Sequence, residues 1–149
     1  MRGTLALLAL LALAMLAGCS ADTRTYSVSV RNNTPRTVTL VLTKTAGPVE
    51  DRWASAEQIA EGQSSGGAPH GMAVVGPGRS ADVSNISGKF PGSAQAVLRV
   101  YGGEPSYGDM LKIVPGRQRA DFTLSPGRND LVVRSVPAGL VIEPRPGGH

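Results

Sequence analysis

The sequence predicts an all-β fold, a β-sandwich of about eight or nine short antiparallel strands with one short helix. Three observations carry this. First, Tyr26, Val28 and Val30 alternate with Thr25, Ser27, Ser29 and Arg31, and Val38, Leu40 and Leu42 alternate with Thr37, Thr39, Val41 and Thr43. A period of two is the signature of a strand with one buried face. Second, Pro-Gly pairs at 77–78, 91–92, 115–116 and 126–127 punctuate the later chain, with proline presetting φ and glycine accepting φ > 0 as type II turns require. Third, 19 Gly and 11 Pro, beside one Trp, three Tyr and two Phe in 149 residues, suit many strands joined by tight turns and do not suit a helical bundle.

The elements follow in chain order. Between the first two strands, Asn32-Asn33-Thr34-Pro35 supplies turn chemistry, since Asn tolerates the left-handed region and Pro offers no N–H. The Thr- and Ser-rich faces of both strands predict a sheet covered on one side only. Residues 46–71 interrupt the alternation. Within them Ser55-Ala56-Glu57-Gln58 matches a capping box and predicts a helix of one or two turns to Glu61, ended by Gly62. A Gly/Ser-rich loop, GQSSGGAPHG, follows. From Met72 the strand pattern resumes over Met72–Val75, Ser80–Ser87, Ala94–Tyr101, Met110–Val114, Arg119–Leu124, Leu131–Ser135 and Leu140–Glu143. The alternation slips by one residue between Val83 and Ile86, which predicts a bulge.

The first 18 residues stand apart. Met1-Arg2 is a short positive start, and Thr4 to Ala17 is apolar after its first residue. Fourteen residues of helix rise about 21 Å, short of the roughly 30 Å hydrocarbon core. These are the proportions of a secretory signal peptide. It ends in Leu16-Ala17-Gly18-Cys19, and Cys19 is the chain's single cysteine. This run resembles the lipobox of bacterial lipoproteins, in which a branched apolar residue and two small ones precede a cysteine. The resemblance implies thioether acylation of Cys19, cleavage before it and attachment to a membrane by two or three acyl chains, which anchor durably where one does not. It also implies a place in the bacterial cell envelope; Ser20 after the cysteine resembles the signal for the outer membrane, facing the periplasm. The competing reading is an ordinary signal peptide cut after Ala12-Leu13-Ala14, which shortens the apolar region to about seven residues.

On this reading residues 1–18 are the signal peptide, 19–23 a tether, 24–143 the sandwich and 144–149 a flexible tail. The strand and turn pattern of "VRNNTPRTVTLVL" and "GPGRSADVS" resembles Ig-like modules of bacterial surfaces, without the Cys–Trp–Cys pattern of true immunoglobulin domains. Without Arg2 the chain carries 14 Lys and Arg against 11 Asp and Glu, too small an excess to imply nucleic acid.

Chemistry is sparse. There are two histidines, His70 in the Gly-rich loop and His149 at the terminus, and no G-x-S-x-G or S-x-x-K motif. No cofactor or metal is expected: the histidines are far apart, the lipobox resemblance implies that the one Cys is acylated, and no Ca²⁺-loop pattern occurs. Three Pro-Gly-Arg turns end at Arg79, Arg117 and Arg128, but turns 115–117 and 126–128 bracket one strand of about six residues and so lie roughly 20 Å apart. Exposed aromatic rings are the remaining binding candidates, so Trp53, Tyr101 and Tyr107, with His70, are the expected partner-binding residues; against this, large aromatics mostly serve burial. A working surface, if present, is expected to include Glu50 to Gly71, the longest connection. The function expected is a non-catalytic binding or structural module held by lipid on Cys19, with an envelope protein or polysaccharide as partner. The alternatives are a hydrolase of envelope polymers using Glu50, Asp51, Glu57, Glu61, Glu104 or Asp109, and an accessory subunit that pairs by β-strand addition.

Overall fold

A computed structural model describes residues 21–48, 50, 52, 53, 55 and 72–146. The strands are β1 (Asp22–Asn32), β2 (Val38–Lys44), β3 (Met72–Val75), β4 (Ser80–Phe90), β5 (Ala96–Gly102), β6 (Arg119–Thr123), β7 (Gly127–Val136) and β8 (Gly139–Pro144), with one short helix, α1 (Tyr107–Met110), between β5 and β6. They form two four-stranded sheets, ordered β4-β1-β7-β8 and β3-β2-β5-β6. This is the sandwich that the alternation predicts. Tyr26, Val28 and Val30 of β1 and Leu40 and Leu42 of β2 face each other across the interior, with Phe90, Leu98, Val100, Leu131 and Val133 from the other strands.

The pairing is antiparallel except in one place. β1 and β7 run side by side in the same direction, from Tyr26 against Gly127 to Asn32 against Val133. The cause lies in residues 33–37. They carry the chain across to the other sheet and do not turn it back beside β1, so β1 is left to find both neighbours far along the sequence. The side chain of Asn32 fixes that corner. It is wholly buried; its Nδ2 donates to the carbonyls of Arg36 and Val75, both at 2.8 Å, and its Oδ1 accepts from Thr34 N at 2.9 Å.

The slip in β4 is a bulge. Tyr26 pairs with Ile86 and Val28 with Val83, so Ser84 and Asn85 together oppose Ser27. Asn85 takes φ 55°, a left-handed conformation that asparagine tolerates better than most residues, and its N–H donates to Ser27 Oγ.

Three expectations need correction. The predicted strand Met110–Val114 is the end of α1 and the turn after it. Ser106 caps this helix: its Oγ accepts from Asp109 N and donates to Asp109 Oδ2 at 2.6 Å. Leu111 and Val114 are exposed. The second sheet is also covered on both faces. Val41, Tyr101 and Met110 form a second buried cluster outside the sandwich, with Tyr107 and Ile113 packed on it, and every residue of β2 is buried. Thr39, expected to be solvated, is buried and donates to Gly103 O at 2.7 Å. Last, β1 begins at Asp22, within the expected tether, and Arg145 of the expected tail is held by Asp130 through both backbone and side chain. The predicted helix from Ser55 to Glu61 lies beyond the described residues after its first position.

The segment after β2 closes the open edge of β4 with side chains. Trp53 Nε1 donates to Ser87 O at 3.0 Å, Glu50 accepts from Lys89 N at 3.0 Å, and Lys44 Nζ donates to Lys89 O at 3.1 Å and to Glu50 Oε2 at 2.6 Å. Together they occupy backbone groups that a further strand would use. Burial alone would raise the pKa of Glu50, but hydrogen bonds from Lys44 and the Lys89 amide outweigh it and hold the carboxyl below its ordinary value. A depressed carboxyl stabilises the fold above its unfolded pKa and loses that contribution as pH falls through the folded one. Urea unfolding of Glu50→Gln at pH 7 should show a loss of about 2–3 kcal/mol, because Lys44 is left buried with its charge unmatched. Between pH 5 and pH 3 the wild type should weaken more than this variant. Parallel pH dependence in the two proteins would refute the assignment.

Candidate functional site

The strands give the sandwich two unlike ends. At one end β1 begins, and β2 leaves for the 45–71 segment, which returns there as β3. At the other lie residues 33–37, the 76–79 turn, the long connection from Gly103 to Gln118, and the β7–β8 hairpin at 137–138. The first is the near end and the second the far end.

At the far end a cleft of about 650 Å³ opens between the sheets. Arg36 and Pro35 line it from the first connection, Arg117 and Gln118 from the approach to β6, and Pro137 and Leu140 from the last hairpin. Gly139 makes this arrangement possible. Its φ is 138°, and a Cβ there would lie 2.6 Å from Arg117 Cα, so the hairpin presses directly on the backbone that carries Arg117. Leu140, half-buried, packs on the core and floors the cleft.

Charge divides unevenly between the ends. Arg24 pairs with Asp22, Lys44 with Glu50, Arg119 with Asp121, Arg128 and Arg145 with Asp130, and Arg134 with Glu143. The bond from Arg128 is the main cause of the lowered pKa of Asp130. Arg36, Arg79 and Arg117 make no ion pair with any described residue, and Arg31 bonds only the neutral Asn33 Oδ1. All four lie at the far end; Arg52, beside Trp53 at the near end, likewise makes no ion pair with a described residue. Arg36 and Arg117 lead into β2 and β6, two strand spacings or about 10 Å apart in one sheet, whereas Arg79 leads into β4 and its carbonyl accepts from Asn32 N in the other sheet. Turns 115–117 and 126–128 do fall at opposite ends of β6. The third Pro-Gly-Arg turn, ending at Arg79, shares its end with Arg117, and no periodicity in the sequence shows that.

A shallower cavity of about 740 Å³ lies beside it, lined by Glu104, Asp109, Lys112 and Arg117 among others. Asp109 is occupied as the partner of the cap Ser106, with Lys112 Nζ at 4.0 Å, so its carboxylate serves the helix. Among the described residues no group of three or more His, Cys, Asp and Glu is placed to hold a metal ion.

The aromatic candidates are packing residues. Trp53 is 1% exposed and stands edge-on to Tyr26 and Phe90, with ring centres 5.3 and 5.4 Å away. Gly88 admits it: a Cβ there would lie 2.8 Å from the indole nitrogen. Tyr101 is fully buried beneath α1, with the Arg119 guanidinium 5.9 Å from its ring centre. Tyr107 is half-buried against the same cluster, and burial raises its phenol pKa. The structure therefore does not bring the three rings to one surface. Cys19, His70, Asp51, Glu57 and Glu61 lie outside the described residues, as does most of the 50–71 segment. Sequence reasoning missed Arg36. Its signal was weak: a cation beside the proline of a strand connection.

No protein-family model matches this chain, and comparison with curated proteins and with solved structures finds no match.

Proposed function

We propose that the chain is a lipid-anchored module of the bacterial envelope, attached through Cys19, that binds a partner without catalysis and presents its far end to that partner. The observation that carries this is the closeness of the lipobox to the fold. β1 begins at Asp22, so Ser20 and Ala21 alone separate it from Cys19, and three residue steps span at most about 11 Å. An acylated Cys19 would hold the near end against the membrane surface and turn the far-end cleft away from it. The engagement of Glu50, Asp109, Asp121, Asp130 and Glu143 in structural contacts favours binding over hydrolysis. So does the position of Glu104, which lines the shallower cavity with Asp109 as its only carboxylate neighbour among the described lining residues.

The test is of the anchor. In a lipoprotein-processing bacterium the mature chain should begin at Cys19, carry acyl mass and partition into detergent. Cys19→Ala should accumulate as an uncleaved, unacylated precursor. An unmodified mature chain beginning at Met15 would overturn the proposal.

A further inference from the structure

We infer that the far-end cleft binds an anionic polysaccharide, with the guanidiniums of Arg36 and Arg117 gripping its oxyanions and Arg79 extending the contact. This rests on the reading of the chain as an envelope binding module and assigns the ligand class. Three features support it.

The first is charge left unmatched. Arg24, Arg119, Arg128, Arg134 and Arg145 are paired with carboxylates, whereas these three, like Arg52 at the near end, are exposed and have no acidic partner among the described residues. Guanidinium presents donors in a planar fork that fits carboxylate and phosphate oxygens. The second is layout. Arg36 and Arg117 line the cleft from β2 and β6, two strand spacings or about 10 Å apart, and Arg79 lies outside its lining beside β4, a spread that suits charges repeated along a chain better than one small ion.

The third separates sugar from peptide. The backbone at this end is already satisfied: Asn32 N bonds Arg79 O, Gly78 N bonds Asn32 O, Asn33 N bonds Val133 O, Gly103 N bonds Thr37 O, and Gly116 N bonds Arg119 O. Those main-chain groups are closed to a peptide. Side chains remain, and they are mixed in kind. Gln118 and Ser135 have no side-chain partner among the described residues and suit hydroxyl groups, while Pro35, Pro137 and Leu140 offer apolar walls to a sugar ring. The oxyanion can be the carboxylate of a uronic acid or the phosphate of a phosphorylated sugar.

The test uses the mature protein as the producing bacterium processes it, acylated or not, in detergent micelles, with binding read by thermophoresis. The probes are polygalacturonate, phosphomannan, neutral dextran and poly-glutamate. At least one of the two charged polysaccharides should bind, and which one identifies the oxyanion. Dextran should not bind. Arg36→Gln with Arg117→Gln should weaken binding at least about tenfold, as expected for two charge-assisted contacts. Arg128→Gln, which removes one charge at the near end, should change it less than about twofold. Arg36 and Arg117 are exposed and hold no ion pair with a described residue, so the melting temperature of the double variant should match the wild type. Four outcomes would overturn the inference: no binding of either charged polysaccharide, no effect of the double variant, an equal effect of Arg128→Gln, or poly-glutamate binding as tightly as the sugars. Acylation of Cys19 is read separately by mass, so either proposal can fail alone.

Discussion

Trp53→Ala should destabilise the fold by about 3–5 kcal/mol, the range for deleting a large buried aromatic. Two losses combine. The cavity would open between Tyr26 and Phe90, which meet the indole at ring-centre distances of 5.3 and 5.4 Å, and such aromatic pairs contribute beyond their area. The indole N–H would also leave Ser87 O without its donor. Trp53→Phe separates these effects, because it restores most of the volume and none of the hydrogen bond; it should recover more than half of the loss. Denaturant midpoints measure both. A cost below about 1 kcal/mol for the alanine variant would place the ring at the surface, where a partner could use it.

Asn32→Leu should be about as damaging, and for the opposite reason. The branched shape and the number of heavy atoms are conserved and the replacement is more apolar, so a view based on burial alone predicts little change. Yet the carbonyls of Arg36 and Val75 and the amide of Thr34 would each lose a partner. An unsatisfied buried polar group costs about 1–3 kcal/mol, so a total of about 3–5 kcal/mol is expected. Asn32→Asp keeps the acceptor for Thr34 and turns a carboxylate on two carbonyls, and it should be no better. Chemical denaturation with hydrogen exchange at residues 33–36 would locate the damage. A neutral Asn32→Leu would mean that this corner is not what sends β2 into the second sheet.

These two residues also show what the sequence made legible. The alternation of β1 and β2 revealed the inward faces directly, and Tyr26, Val28, Val30, Leu40 and Leu42 are buried as the period of two requires. Asn32 read as a turn former, a local property. Its action is non-local, reaching Val75 across 43 positions, and no local pattern encodes that. The segment around α1 misled for a different reason. Met110, Leu111, Ile113 and Val114 look like a strand because they are apolar, whereas Ser106 and Asp109, three apart, form a capping pair that marks a helix start. Similarly, the outer face of β2 could be known to be covered only once that segment was known to lie on it. Of the far-end site, the Pro-Gly-Arg turns were visible, but their placement depended on strand order, which the sequence does not display.

The parallel pairing of β1 and β7 governs when the molecule can assemble. β1 lies between β4 and β7, so its partners emerge from residue 80 and from residue 127 onward. On the proposed reading, a chain exported from its N-terminus would deliver β1 first, and would give it one neighbour only after residue 80 and the second only from residue 127. Such distant partners slow folding, since the entropy of closing the loop must be met before any contact rewards it. Acylation and cleavage at Cys19 would then act on a tethered but still unfolded chain, beyond the reach of a folded domain's bulk. The order of events would run from anchor to fold, with the stretch from Gly127 onward setting the moment of collapse.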